Sequence, residues 1–413
     1  MTGKTILALG AGMGGIAAAN ELRKLLPSEH RIVLVEKAAQ HAFAPSFLWL
    51  MSGERKQKQI VRDLRQMVHR GVELIIEQAE AIDLEKRSVS TASRMVAYDY
   101  LIVSIGAELA PETIPGLAET SHTYYTFDGA LKLHDALEDF AGGTIAVVVG
   151  SVPYKCPGAP HEGAMLMADL FRGRGLAVKV NIHLFTPEPQ PMPVAGPALG
   201  TAVKEMLETR KIVFHPLHKL QSVNASTRQL LFEGKSPFKF DLLVAIPPHR
   251  GYRIAREAGL TNEAGWIPVD PKTLATKHAG VYAIGDATAI PILGRWKPDV
   301  PMLLPKAGVF THSQAQVVAR NIAAEIRGAG RKVEFLGEGY CALECGEGRA
   351  GFAFGDFYAE PNPTIELRQP GRTWHRGKIL FEQYWFADGM NRDALRIGVN
   401  LGARALGVPA LLR

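Results

Sequence analysis

Cysteine is scarce in this chain: Cys156, Cys341 and Cys345 are the only three thiols in 413 residues. That is too few for the disulfide framework of a secreted scaffold. No stretch of about 20 apolar residues offers a membrane-spanning helix. No charged n-region, apolar h-region and cleavage site precede the first strand, which is under way by Thr5. Lysine and arginine never form a run long enough to argue for nucleic acid. The net charge of +6 is mildly basic and suits an anionic substrate or a membrane surface instead. The expected location is the cytoplasm, or the cytoplasmic face of a membrane as a peripheral protein without a signal peptide.

A hydrophobic fraction of 47% and a charged fraction of 21% are ordinary for an α/β protein, and the length allows two or three domains. Thr5–Leu9 reads as a buried strand, followed at once by Gly10, Gly12, Gly14 and Gly15 and then a helix to about Leu26. Glycines 10, 12 and 15 fit G-x-G-x-x-G. The first permits a tight turn, the second lets backbone N–H groups reach a pyrophosphate, and the third lets helix pack on strand. A second strand, Arg31 to Val35, ends in Glu36 and Lys37, with the Glu36 carboxylate placed to accept ribose hydroxyls. The aromatic segment His41–Trp49 would lie over whatever this motif binds, although packing is its plainer reading. Residues 59–68 look helical, and residues 72–103 alternate as a small β-region. The strand Tyr98–Ile105 ends at Gly106, before Pro111 and Pro115-Gly116.

A second strand–turn–helix begins at Val147-Val148-Val149, but its turn lacks the glycines a pyrophosphate requires. It reads Gly150-Ser151-Val152-Pro153-Tyr154-Lys155-Cys156-Pro157, with Glu162 six residues after the cysteine and a helix to about Phe171. NAD(P)H is therefore an unsuitable partner for it. Asp241–Pro248 is read as the strand that returns the chain to the first domain. Gly280–Ala287 is a strand ending in Gly285-Asp286, and Pro305-Lys306-Ala307-Gly308 opens a long helix to about Arg327. Gly339–Phe357, Thr364–Arg368 and Gly377–Phe386 read as mixed β. The end of the chain, from Arg392, carries arginines and no acid after Asp393. It suits an amphipathic segment resting on anionic lipid, or one docked on its own protein or a second subunit, with three glycines weakening any helix.

The order of these motifs resembles the flavoprotein disulfide reductases, and two departures narrow the resemblance. The second nucleotide turn is replaced by a cysteine turn, and the cysteines are not an adjacent C-x₄-C pair. Together with Pro305–Gly308 and Cys341-Ala342-Leu343-Glu344-Cys345-Gly346, they make the chain similar to the sulfide:quinone oxidoreductases and the flavoprotein subunit of flavocytochrome c sulfide dehydrogenases. The resemblance implies an α/β fold of two Rossmann-like dinucleotide-binding-type domains and a C-terminal mixed β region with a tail. The FAD domain would span 1–116 and 239–330, the degenerate NAD-type domain 117–238, and the C-terminal region 331–413.

It also implies FAD as cofactor, on Gly10, Gly12, Gly14, Gly15, Glu36, Lys37, Gly106, Gly285, Asp286, Lys306, Ala307 and Gly308. The binding would be non-covalent, because the segment at 41–49 lacks the cysteine that attaches the flavin in the flavocytochrome subunit. Sulfide would be oxidised through a Cys156–Cys341 pair in either order, with Glu162 as proton acceptor or simply a helix N-terminal acid. Lys306 would stabilise reduced flavin, and Cys345 would be a bystander or an extension of a polysulfur chain. Electrons would pass to a membrane quinone, whose slot is sought among Phe352, Phe354, Phe357, Phe381, Tyr384, Trp385 and Phe386. A homo-oligomer is compatible with all of this. Three other readings stay open: a subunit passing electrons to a cytochrome, an NADH:quinone oxidoreductase of similar build, and a non-catalytic flavin-bound redox sensor or scaffold.

Overall fold

The computed structural model describes residues 3–297 and 299–412. Arg413, the last residue of the basic tail, lies outside them. The chain opens with β1 (Thr5–Leu9), α1 (Met13–Leu25) and β2 (Arg31–Glu36). Gly10, between β1 and α1, has φ +88°, a conformation that L side chains rarely adopt. Gly15 answers a different need: a Cβ there would collide with the carbonyl oxygen of Gly10, so α1 can lie this close to the strand only with glycine. The buried helix α2 (Phe47–Met51) follows, then β3 (Glu73–Ile76) and β4 (Tyr100–Val103).

The second domain holds β5 (Gly143–Val149), α3 (Ala159–Gly173), β6 (Val180–Phe185), β7 (Val213–His215) and β8 (Leu242–Ile246). Its sheet is parallel, in the order β7-β6-β5-β8. Here the sequence expectation is corrected. Strand β8 pairs with β5 rather than returning the chain to the first sheet, so the second domain runs past residue 238. All five residues of β8 are buried, and β5 offers it an otherwise unpaired edge. The return is made just afterwards, where His249–Arg250 pairs antiparallel with Glu108–Leu109. Then β9 (Val281–Ala283) completes the first sheet, parallel throughout in the order β3-β2-β1-β4-β9.

After α4 (Gly308–Arg327), which lies along α1, come the antiparallel strands β10 (Glu338–Glu344), β11 (Ala350–Asp356) and β12 (Thr364–Gly371). Residues 377–386 are not β as expected: they belong to helix α5 (Arg372–Phe386). As a helix, the segment puts His375, Lys378 and Glu382 on one face and sets its aromatics against the first domain, with Trp385 2% exposed. The tail is also helical, as α6 (Gly389–Ala405), despite its three glycines. Residues 59–68 hold two short helical turns rather than one helix, because Val61–Asp63 pairs with Gln40–Ala42 between them.

Candidate active site

One cavity of about 1350 Å³ runs from the glycine turn after β1 to the junction of α5 and α6. Gly10, Gly12, Gly14, Glu36 and Lys37 line its first end, and Gly106, Gly285 and Asp286 line the wall formed by the ends of β4 and β9. Gly15 lies behind this surface, against Gly10. Nothing lies within 4 Å of a Cβ built on Gly12, so the backbone there faces open space. Glu36 holds the turn by accepting from the N–H of Ala11 at 2.7 Å. The start of α4, at Ala307 and Gly308, opens into the same cavity. A backbone cradle at one helix N-terminus, a second helix N-terminus and an acid at the end of β2 fit a dinucleotide such as FAD.

Part of the aromatic segment also covers this region: His41, Pro45 and Phe47 line the cavity, whereas Phe43 and Trp49 are packed inside. Trp385 Nε1 can only donate, so His41 Nε2 accepts its hydrogen bond at 3.0 Å and His41 Nδ1–H donates to the Ala11 carbonyl at 3.1 Å. Burial brings the His41 pKa down to about 4, which keeps the imidazole neutral for this task. Helix α5 is thereby fastened to the glycine turn.

Cys156 and Cys341, both free thiols, line the same cavity together with Glu162. Cys156 has φ +54°, a left-handed conformation that costs a non-glycine residue about 1–2 kcal/mol. The surroundings impose it. Its N–H donates to the Lys306 carbonyl at 2.6 Å, while its own carbonyl accepts from the Ala159 N–H at 2.9 Å and the Tyr125 hydroxyl at 3.3 Å. Cys341 comes from β10. A Cβ built on Gly158 would stand 3.6 Å from Cys341 Sγ and 3.5 Å from Glu162 Oε2, so thiol and carboxylate flank one point at the start of α3. Cys345 is apart from them, fully buried, with its Sγ 3.3 Å from the Arg349 carbonyl.

The charges around the thiols oppose one another. Glu162, 2% exposed, accepts from Lys378 Nζ at 2.6 Å and from the Glu344 N–H at 2.9 Å, both on Oε1. Burial works against the Lys378 ammonium, but Glu162 and then Glu344 outweigh it and hold its pKa above the ordinary lysine value. The Cys156 thiol is pushed up to about 12, first by burial and then by Glu162, with Lys378 opposing. Burial, Glu162 and Cys156 push Cys341 the same way, again against Lys378.

Lys378 is the functional side chain that sequence reasoning missed. The available signal was three polar residues, 375, 378 and 382, at helical spacing inside an aromatic stretch. Lys306 lines the cavity beside Ala307 and Gly308. Its ammonium donates to the carbonyls of Asp286 and Thr288 at 2.8 and 2.6 Å and lies 3.6 Å from the Trp266 ring centroid. A buried ammonium takes the acceptors that desolvation demands, and here two of its three donors go to backbone carbonyls. Burial lowers its pKa to about 8. Of the seven aromatics expected around a quinone, Phe352, Phe354, Phe357 and Phe381 line the cavity. Tyr384, Trp385 and Phe386 do not; Trp385 and Phe386 pack on Phe43, with ring centroids 6.0 and 5.6 Å away.

A glycine-turn parallel-sheet domain that shares one cavity with two half-buried thiols defines a class, the dinucleotide-dependent oxidoreductases. Residues 4–310 match the family model for pyridine nucleotide-disulphide oxidoreductases, and the chain belongs to that family. It is similar to the sulfide-quinone reductase of Aquifex aeolicus, 27% identical over 92% of this chain and 90% of the relative. It is also similar to the mitochondrial sulfide:quinone oxidoreductase of Mus musculus, 24% identical over 96% of this chain and 90% of the relative. The solved structure of the sulfide:quinone oxidoreductase from the hyperthermophile Aquifex aeolicus superposes with a TM-score of 0.83 at 26% identity, covering 92% of this chain and 90% of that one.

Proposed function

We propose that this protein oxidises sulfide at Cys156 and Cys341 and delivers the electrons to a membrane quinone. The observation that carries the reading is that both thiols, Glu162 and Lys378 line the same cavity as the glycine cradle. FAD, held non-covalently on the turn 10–14, Glu36, Gly285-Asp286 and the start of α4, supplies a two-electron acceptor when bound.

In the oxidised enzyme the two cysteines form a disulfide. H₂S gives a proton to Glu162 Oε2, the oxygen left free by Lys378 and the Glu344 N–H. HS⁻ then attacks Cys156 Sγ; a new S–S bond forms there, the Cys156–Cys341 bond breaks, and its electron pair stays on Cys341. Lys378 steadies the resulting thiolate against burial. The rigid turn around Cys156 keeps the sulfur carrier in place between the two half-reactions.

The quinone slot is assigned to the cavity end lined by Phe352, Phe354, Phe381 and helix α6. Gly398 and Gly402 of α6 both line the cavity, and neither has an atom within 4 Å of where a Cβ would stand, so they widen the wall. The outer side of α6 exposes Met390, Ile397 and Leu401 at 89%, 56% and 60%, and Arg396 and Arg404 of the same helix are exposed as well. An apolar ridge with arginines suits an anionic bilayer surface. No described helix is long and apolar enough to cross a membrane. The test is sulfide-dependent quinone reduction by the FAD-loaded protein. Cys156→Ser and Cys341→Ser should each abolish it while retaining flavin, and activity kept in both would overturn the assignment.

A further inference from the structure

Beyond the thiols, a row of titratable side chains leads out of the buried site. Glu344, on β10, is 1% exposed. Its backbone N–H holds Glu162, while its side-chain Oε2 lies 2.8 Å from His375 Nδ1. Its other oxygen, Oε1, is buried with no hydrogen-bond partner. The His375 side chain is 16% exposed, and Glu54, exposed in the loop after α2, is one of the charges that act on it. We propose that Glu344, His375 and Glu54 conduct protons between the Glu162–Lys378 pair and solvent.

The groups facing His375 come from three elements: Glu344 from β10, Glu54 from the loop after α2, and Lys378 one turn along its own helix, with the Trp49 ring 5.9 Å away edge-on. The hydrogen bond to Glu344 and the two carboxylate charges raise the imidazole pKa, against burial and Lys378. A pair that only fastened α5 to β10 would have no use for an unpartnered buried carboxylate oxygen, whereas a relay uses it as the landing point for a proton or a water.

The inference rests on the sulfide reading. Only the proton that leaves H₂S travels this way. The sulfur keeps its electron pair, and the S–S bond exchange is as written above.

The test is stopped-flow bleaching of the FAD-loaded enzyme by sulfide without oxygen. His375→Ala should slow it by about ten-fold or more at saturating sulfide, leave the half-saturating concentration unchanged, and regain speed with added imidazole. Methylimidazoles should rank by their basicity. Glu344→Gln should be slowed as much and not rescued. An unchanged rate in His375→Ala overturns the relay. So does a loss that imidazole leaves unrepaired but His375→Asn repairs, because that is packing. In the intact holoenzyme, the His375 imidazole followed by NMR should titrate above the ordinary histidine value and drop in Glu344→Gln; titration at or below the ordinary value also overturns it. A wild-type flavin that sulfide does not bleach would sink the sulfide reading itself, which is a separate result.

Discussion

Replacing Lys378 by methionine should make both redox thiols less reactive, and replacing Glu162 by glutamine should make them more so. The two side chains form a buried pair, 2.6 Å apart, with side-chain exposures of 12% and 2%. Glu162 raises the pKa of Cys156 and Cys341, and Lys378 lowers it. A unit charge a few ångströms from a thiol is worth about 2–4 kcal/mol at an effective dielectric near 20, which is roughly two pKa units. Lys378→Met should therefore cut the thiolate fraction by about 100-fold at a fixed pH below the thiol pKa. Glu162→Gln should raise it by a similar factor, and the double variant should fall between them. Stability should follow a different order. Removing the lysine alone strands a buried carboxylate, at a cost of about 3–5 kcal/mol before Glu162 takes up a proton, whereas the double variant strands nothing. The assay is iodoacetamide alkylation of the reduced protein across pH, reading each cysteine peptide by mass spectrometry, beside melting temperatures. Shifts of the same sign in both single variants would refute the electrostatic reasoning.

Three further outcomes follow from the structure. Gly12→Val should leave the melting temperature of the flavin-free protein nearly unchanged, since its Cβ meets nothing within 4 Å, yet lower the flavin-to-protein absorbance ratio sharply because the side chain fills the cradle. Changing Met390, Ile397 and Leu401 together to serine should abolish co-sedimentation with anionic vesicles without lowering thermal stability, as all three are exposed; undiminished sedimentation would move the membrane face elsewhere. Burial also holds the pKa of His41 and His161 at about 4. An unfolded histidine titrates near 6.5, so the unfolded chain binds more protons below that value. Stability is full above pH 6.5 and erodes as the pH falls toward 4. Melting temperatures from pH 7.5 to 4.5 should show this decline, and a flat profile would contradict it.

What the sequence revealed divides along a physical line. The β1 turn was legible because each glycine answers a local requirement: positive φ at Gly10, open space at Gly12, close packing at Gly15. The cysteine turn was legible because two prolines and a lysine cannot cradle a pyrophosphate. Strand β8 was misplaced because a uniformly buried run carries no label for the sheet it joins, and only the register with β5 decides. Helix α5 was misread because its aromatic stretch has the composition of a strand. Tertiary contacts override that preference: Lys378 and Glu382 have partners, Glu162 and Arg55, that lie more than 200 residues away in the chain. The destination of the Lys306 ammonium was likewise invisible, since strand-end carbonyls leave no mark in a sequence.

The central claim is that a thiol site has replaced a nucleotide site as the source of electrons. Its most direct test is anaerobic addition of sulfide and, separately, NADH to the FAD-loaded protein while the flavin absorbance near 450 nm is followed. Sulfide should bleach the flavin, added quinone should restore it, and NADH should leave it yellow. Bleaching by NADH with no response to sulfide would contradict the account.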